Sequence, residues 1–175
     1  MVEKVCPLVI RSRAAAFEVP AFRHPQAGCR LVKGTIRAGE APDAAAAREL
    51  REESGLSVVA PPLPWGTPPI GLERTLWHVF LCEVPPTPDR WTHFCKDDGG
   101  HWFEFFWHPL YAGLDARWAA PFHGIWDFAA PRIGALRSDA AGHDALGHDA
   151  LGFHAPEFRA PGFDAPGRAT LRRRR

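Results

Sequence analysis

No stretch of the 175-residue chain approaches the ~20 consecutive apolar residues of a membrane-spanning helix, so none is expected. The opening MVEKVCPLVIRS sets acids and bases around a short apolar run. It lacks the basic start and long apolar stretch of a secretory signal, and export is not expected. The four cysteines, Cys6, Cys29, Cys82 and Cys95, lie far apart, with no CxxC and no pair at metal-ligand spacing. Four reduced, mostly buried thiols in a cytoplasmic protein are therefore expected, rather than disulfides. Net charge is also missing. A balance of +1 gives no bulk reason to expect nucleic acid or a membrane as partner. What remains is ordinary for a folded domain: 46% hydrophobic and 23% charged residues, and enough length for one core.

The composition changes beyond about Pro131. GHDALGHDAL (142 to 151) repeats, and GFHAPEFRAPGFDAPG follows with small residues, proline and single phenylalanines. Such a segment has too little apolar density to offset the entropy of ordering. The chain is read as one folded domain over residues 1–137 and a disordered tail over 138–175. The pairs His143-Asp144 and His148-Asp149 are read as solvated repeat residues, since no third ligand class joins them. The last segment, RATLRRRR, is basic enough to meet phosphates.

Within the domain, KVCPLVIRS (4 to 12), AAFEVPAFRH (15 to 24) and CRLVKG (29 to 34) read as strands, with Pro20 marking an edge or bulge in the second. Asp43 to Ser54 is the strongest helix, rich in Ala and Glu, with Pro42 suited to its first turn and Gly55 to its cap. LSVVA (56 to 60) reads as a strand, and the five prolines of residues 61–69 as a loop. TLWHVFLCEV (75 to 84) and HWFEFFWHPL (101 to 110) read as strands, and RWAAPFHGIWDFAA (117 to 130) holds a second helix. Strands around one strong helix with a late second helix give an α/β or α+β class.

The informative stretch is GTIRAGEAPDAAAARELREESGL, residues 34 to 56. Its spacing is G-x5-E-x7-R-E-U-x-E-E-x-G-U, with U apolar: Gly34, Glu40, Arg48, Glu49, Leu50, Glu52, Glu53, Gly55, Leu56. At ~100° per residue, Glu49, Glu52 and Glu53 share about a third of the helix circumference. Unpaired, such acids repel and raise one another's pKa. A hard divalent cation such as Mg²⁺ or Mn²⁺ removes the conflict and bridges to phosphate. Arg48 can pair with Glu40 or Glu52 and hold either in register. A solvated charged face is the plain alternative, and the other fixed positions count against it.

This pattern resembles the Nudix box, the signature of the Nudix hydrolases, and the strand order fits that family over roughly residues 1 to 130. The resemblance implies an α/β/α sandwich with a mixed sheet, in which the box forms loop–helix–loop. It implies metal-assisted attack of water on the diphosphate of a nucleoside diphosphate linked to a further group. Carried over by position, Glu49, Glu52 and Glu53 are metal ligands, the Gly34 carbonyl adds a ligand, and Arg48 and Glu40 orient them. Glu52 and Glu53 are also the candidates for direct catalysis. Members often have proline and glycines at the box start; here LVKGTI puts Val32 and Lys33 before Gly34. Lys33 is either a phosphate contact or a solvent-facing lysine. Many members add an acid from a late loop, and KDDGGHW (96 to 102) is of that kind. Asp98 or Asp97 there is a fourth ligand, a general base or part of a DG turn, with Glu104 a weaker candidate. Members active on ADP-ribose carry a proline beyond the box; Pro68 and Pro69 fall short of that distance. Trp77, Trp102 and Trp107 either stack on a base or fill the core. The expected substrates are small nucleotides, nucleoside triphosphates or related polyphosphates. Two rivals are a nucleotide-sensing module without catalysis, which loss of box glutamates would favour, and an RNA-interacting protein using the basic tail.

Overall fold

The computed structural model describes residues 2–14, 16–71, 75–96 and 99–143, with side chains through Leu136. The strands are β1 (Glu3–Leu8), β2 (Arg11–Arg13), β3 (Ala16–His24), β4 (Gly28–Arg30), β5 (Gly34–Thr35), β6 (Leu63–Gly66), β7 (Pro69–Ile70), β8 (Thr75–Leu81), β9 (Arg90–Cys95) and β10 (His101–Pro109). The helices are α1 (Pro42–Ser54) and α2 (Ala120–His143).

They form two sheets. The first is mixed, in the order β5-β1-β8-β6 with β7 also on β8; β1 and β8 run parallel, from Glu3 beside Leu76 to Leu8 beside Leu81. The second is antiparallel, in the order β2-β3-β10-β9 with β4 also on β3. Both sheets are buried on two faces, and side-chain alternation explains how. Val5, Phe22, Phe80 and Phe105 point to a core that includes Leu50 of α1. Their neighbours Cys6, Ala21 and Val79 point to a second core with Phe122, Ile125 and Ile133 of α2. The result is an α/β/α sandwich, as the family resemblance implied.

α1 begins with Pro42 in its first turn, where the missing N–H costs nothing, and carries Asp43 near the positive end of the helix dipole. It ends at Gly55, whose φ of 76° lets its N–H close on the Arg51 carbonyl at 3.0 Å. Leu50 is fully buried, which contributes roughly 2 kcal/mol.

Several expectations need correction. LSVVA is not a strand: Val59 makes one backbone bond, to Glu83 at 2.9 Å, and Pro61 and Pro62 then block a ladder. The proline-rich stretch is not a plain loop. It holds β6 and β7, both antiparallel to β8, and β6 tolerates Pro64 because it is a sheet edge with a register shift between Pro64 and Gly66. β9 escaped the sequence reading because His93 on its inner face and exposed Phe94 on its outer face blur the alternation. β3 is internal, not an edge, yet β2 covers only Ala16 to Glu18 and β4 only Phe22 to His24 on one flank. Pro20 falls in the gap between them. α2 runs on to His143 through Pro131, past the composition change and into the segment from 138 read as tail; residues 144–175, with most of the repeat and the basic tail, lie outside the described residues.

None of the four cysteines is in a disulfide, and all four are buried. Burial pushes the Cys6 thiol well up and that of Cys82 to about 12, so both stay protonated. No described helix is long and apolar enough to cross a membrane.

Candidate active site

The crowded acids of α1 are paired by arginine. Arg48 is the hub: its Nε donates to Glu40 Oε1 at 2.7 Å and its Nη2 to Glu40 Oε2 at 2.9 Å, a bidentate fork. Its Nη1 donates to Glu49 Oε1 at 2.7 Å and to Glu52 Oε2 at 2.9 Å, and its Nη2 also reaches the Thr35 carbonyl at 3.1 Å. Both pairings left open for Arg48, to Glu40 and to Glu52, therefore form. Glu40 closes the turn below by accepting the Arg37 N–H at 2.9 Å. Arg48 and that N–H hold the Glu40 carboxyl down to about 2.

That shift carries a stability expectation. A carboxyl depressed on folding stabilises fully above its ordinary value and loses the contribution as pH falls through its folded value. The Arg48–Glu40 contribution is thus expected to fade between the ordinary 4.5 and about 2. Melting temperatures of the wild type and Glu40→Gln across an acid series should converge over that window. A gap that stays constant to the lowest pH would show that the pair adds no pH-dependent stability.

Glu49 and Glu53 are both buried, at 6% exposure, whereas the Glu52 side chain is 33% exposed. Glu53 accepts the Lys33 backbone N–H at 3.0 Å and stands 3.9 Å from the Lys33 Nζ, so the pairing of Lys33 is to an acid of the box. Arg37 reaches Glu52 at 3.4 Å. Gly34 passes so close to Glu49 that a Cβ added there would run into the carboxylate. The far end of α1 is held by β9: Trp91 Nε1 donates to the Ser54 carbonyl at 2.9 Å, and His93 Nε2 lies 3.1 Å from the Glu52 carbonyl. These bonds satisfy carbonyls that a helix end leaves without an intrahelical partner.

Lys33, Gly34, Arg48, Glu49, Glu52 and Glu53 all border one cavity of about 400 Å³. Its remaining wall supplies residues that the sequence did not single out: His24, Arg30, Arg37 and His101, over the rings of Phe22 and Phe103. His24 lies 5.2 Å from the His101 ring and 5.4 Å from that of Phe103. Arg37 was inside the box and legible as a cation near three acids; His24 and His101 gave no sequence signal.

The tryptophans separate. Trp107 is core, with its Nε1 bound to the Pro88 carbonyl at 2.9 Å and Arg11 over its ring. Trp77 is 3% exposed. Trp102 is neither core nor at this cavity; it is 64% exposed on the outer face and packs on Phe94. Glu104 is exposed and does not border the cavity. Asp97 and Asp98 lie outside the described residues, although Cys95 and His101 on either side of them both border the cavity.

As placed, no three acid, histidine or cysteine side chains among the described residues are gathered to hold a metal ion. Arg48 stands between Glu49 and Glu52 instead. The donor set still fits a hard divalent cation: three carboxylates, two of them buried, beside a glycine backbone whose lack of a side chain leaves Glu49 room.

Comparison with known proteins bears on this arrangement. No curated protein matches the sequence significantly. Among solved structures, a mutT/nudix family protein from Listeria innocua aligns at 15% identity and TM-score 0.52, over 77% of this chain and 93% of that one. A MutT protein from Methanosarcina mazei Go1 aligns at 20% identity and TM-score 0.51, over 76% and 94%. A MutT structure from work on Aliivibrio salmonicida and Vibrio cholerae aligns at 16% identity and TM-score 0.51, over 72% and 92%. At such identities the likeness is one of fold. The family model described as NUDIX domain matches residues 8–125, most of the described fold and the whole box. The chain belongs to the Nudix domain family and is a Nudix-type pyrophosphohydrolase.

Proposed function

We propose that this enzyme cleaves the diphosphate linkage of a nucleoside diphosphate joined to a further group, with nucleoside triphosphates or related polyphosphates as its preferred class. The carrying observation is the mixed lining of one cavity: Glu49, Glu52 and Glu53 around Arg48, with Arg30, Lys33 and Arg37 beside them. A divalent cation suits the acids and a polyanionic chain the flanking cations.

In this reading Glu49, Glu52 and Glu53, with the Gly34 carbonyl, would hold Mg²⁺ or Mn²⁺. When bound, the ion supplies charge neutralisation and a more acidic water. Arg48 keeps the carboxylates aligned through Glu40, and Lys33 and Arg37 orient the phosphates. Water oxygen bonds to phosphorus, the anhydride P–O bond breaks, the leaving phosphate takes the electron pair, and a carboxylate takes the water's proton. Glu52, the most exposed of the three acids, is suited to that transfer; Asp98 is the other candidate. The four buried thiols without a disulfide suit a cytoplasmic setting. The test is a phosphate-release screen over nucleoside triphosphates, dinucleoside polyphosphates and diphosphate sugars with Mg²⁺ or Mn²⁺. No release from any of them, alongside tight nucleotide binding, would favour a sensor instead.

Asp98 separates from Asp97 by kinetics. A base acts mainly in the transition state, so Asp98→Asn is expected to lower kcat with little change in KM, and Asp97→Asn to leave both nearly unchanged. Steady-state kinetics on both variants decide it. If neither lowers kcat several-fold, the proton goes to a box glutamate.

A further inference from the structure

The outer strands of the two sheets differ greatly as templates for further pairing. In the first sheet they are β5 and β7, two residues each, and β6, four residues with Pro64 and a register shift. In the second, β2 and β4 are three residues each. Short strands, proline and bulges are the usual protections of a sheet edge. β9 has none of them. It pairs with β10 alone, over six residues, in unbroken register from Arg90 beside Phe106 to Cys95 beside His101. One row of its backbone groups therefore faces away from the sheet, and no backbone bond from another described segment reaches Arg90 to Phe94.

The side chains of this edge complement one another. Trp91 and His93 turn inward to α1. Arg90, Thr92 and Phe94 turn to the opposite face and are exposed. Phe94 is 43% exposed and its cross-strand neighbour Trp102 is 64% exposed, with ring centroids 5.5 Å apart. The Arg90 side chain makes no hydrogen bond, ion pair or ring contact with any described residue. Arg90 and Phe94 flank Thr92 symmetrically on one face. Two copies of β9 placed antiparallel, Thr92 against Thr92, set Phe94 of each opposite the partner's Arg90. That arginine has its own Phe106 on the other flank. A row across four strands then reads Trp102, Phe94, the partner's Arg90 and the partner's Phe106, a cation between aromatic rings. A phosphate-bearing strand suits the face less well. Exposed Glu104 stands in its middle, between Thr92 and Arg23, and would repel phosphates. In the pair of copies the two Glu104 side chains stay three strand spacings apart, about 14 Å, where screening is strong.

We propose that β9 is a dimerisation edge, at which two copies of this chain join antiparallel about a two-fold axis through Thr92 and merge their five-stranded sheets. Each copy offers the same surface, so the contact closes at two subunits. Two six-residue strands and two aromatic pairs make an interface at the small end of specific associations, and a dissociation constant of about micromolar is expected. The dimer does not depend on which substrate the cavity takes.

Sedimentation velocity of the full chain over a concentration series tests it, with a melting curve for each variant to show that it is folded. The wild type is expected to pass from monomer to dimer as concentration rises. Arg90→Glu sets a carboxylate against the partner's Phe94, and Phe94→Lys sets a cation against the partner's Arg90. Each is expected to weaken the dimer by about tenfold or more, because the two-fold axis repeats the loss. Both positions are on the exposed face, away from the contacts of Trp91 and His93 with α1. The double variant, Arg90→Glu with Phe94→Lys, places opposite charges across the axis and should recover much of the lost association. Within one chain the two positions are four residues apart along the strand, about 13 Å, too far to pair. Recovery therefore reports contact between copies. A wild type that stays monomeric to roughly 100 μM overturns the proposal. So does a dimer that survives both single variants, which would lie on another face. Loss in the single variants without recovery in the double overturns the pairing about Thr92. A monomer whose tryptophan fluorescence responds to a single-stranded oligonucleotide, with the response lost in Trp102→Ala, gives the face to nucleic acid instead.

Discussion

Glu53→Gln and Glu52→Gln are each expected to lower turnover by orders of magnitude while the protein stays folded. The two positions differ in surroundings, which makes the pair informative. Glu53 is buried and accepts the Lys33 N–H. Glutamine keeps an oxygen for that bond, so the link between α1 and the segment joining β4 to β5 survives. What is lost is a negative charge that attracts a hard cation, and an amide is the poorer ligand. Glu52 is more exposed and shared between Arg48 and Arg37. Its replacement leaves Arg48 still held by Glu40 and Glu49, so thermal stability should change little. Turnover at saturating Mg²⁺ or Mn²⁺, with a melting curve for each variant, provides the check. Near-normal turnover in both would remove these glutamates from the chemistry.

Gly34→Ala is expected to be nearly as damaging, for a steric reason. The new Cβ would collide with the Glu49 carboxylate, which cannot retreat easily because Arg48 grips it at 2.7 Å and it is almost wholly buried. Overlaps of this kind in packed surroundings force neighbouring groups off their minima and cost about 1–3 kcal/mol. The fold should survive with a lower melting temperature, while turnover drops steeply because a box carboxylate is displaced. Wild-type turnover in Gly34→Ala would mean that Glu49 shifts freely and that its placement is not required.

These residues also show what the sequence makes legible. Gly34, Arg48 and the three glutamates stand at fixed spacing in one helix and its approach, where periodicity converts directly into geometry. The same holds for Pro42 and Gly55 at the ends of α1. Arg30, His24 and His101 come from three strands brought together only by sheet pairing, and no local pattern marks them. β6 shows the limit from the other side: its Pro64 argues against a strand until it is placed at an edge, where one flank needs no partner. Trp102 looked like core or ligand platform by residue type, but its side of β10 decides otherwise, and strand facing near a sheet's rim depends on what covers it.

The two bonds from β9 to α1 fix more than the end of a helix. Trp91 and His93 grip carbonyls two residues apart, on Ser54 and Glu52. Two grips at different azimuths set the rotational phase of α1 against the second sheet. A helix advanced by one residue would turn by about 100°, carrying carboxylates off the cavity and bringing neighbours such as Leu50 and Ser54 to their places. Gly55 allows the ring of His93 to lie close beneath, since a Cβ there would meet its Nδ1 at 2.7 Å. The alignment of the acidic face is therefore enforced by a strand nearly forty residues downstream, and substitutions in β9 are a route to detuning the site without touching the box.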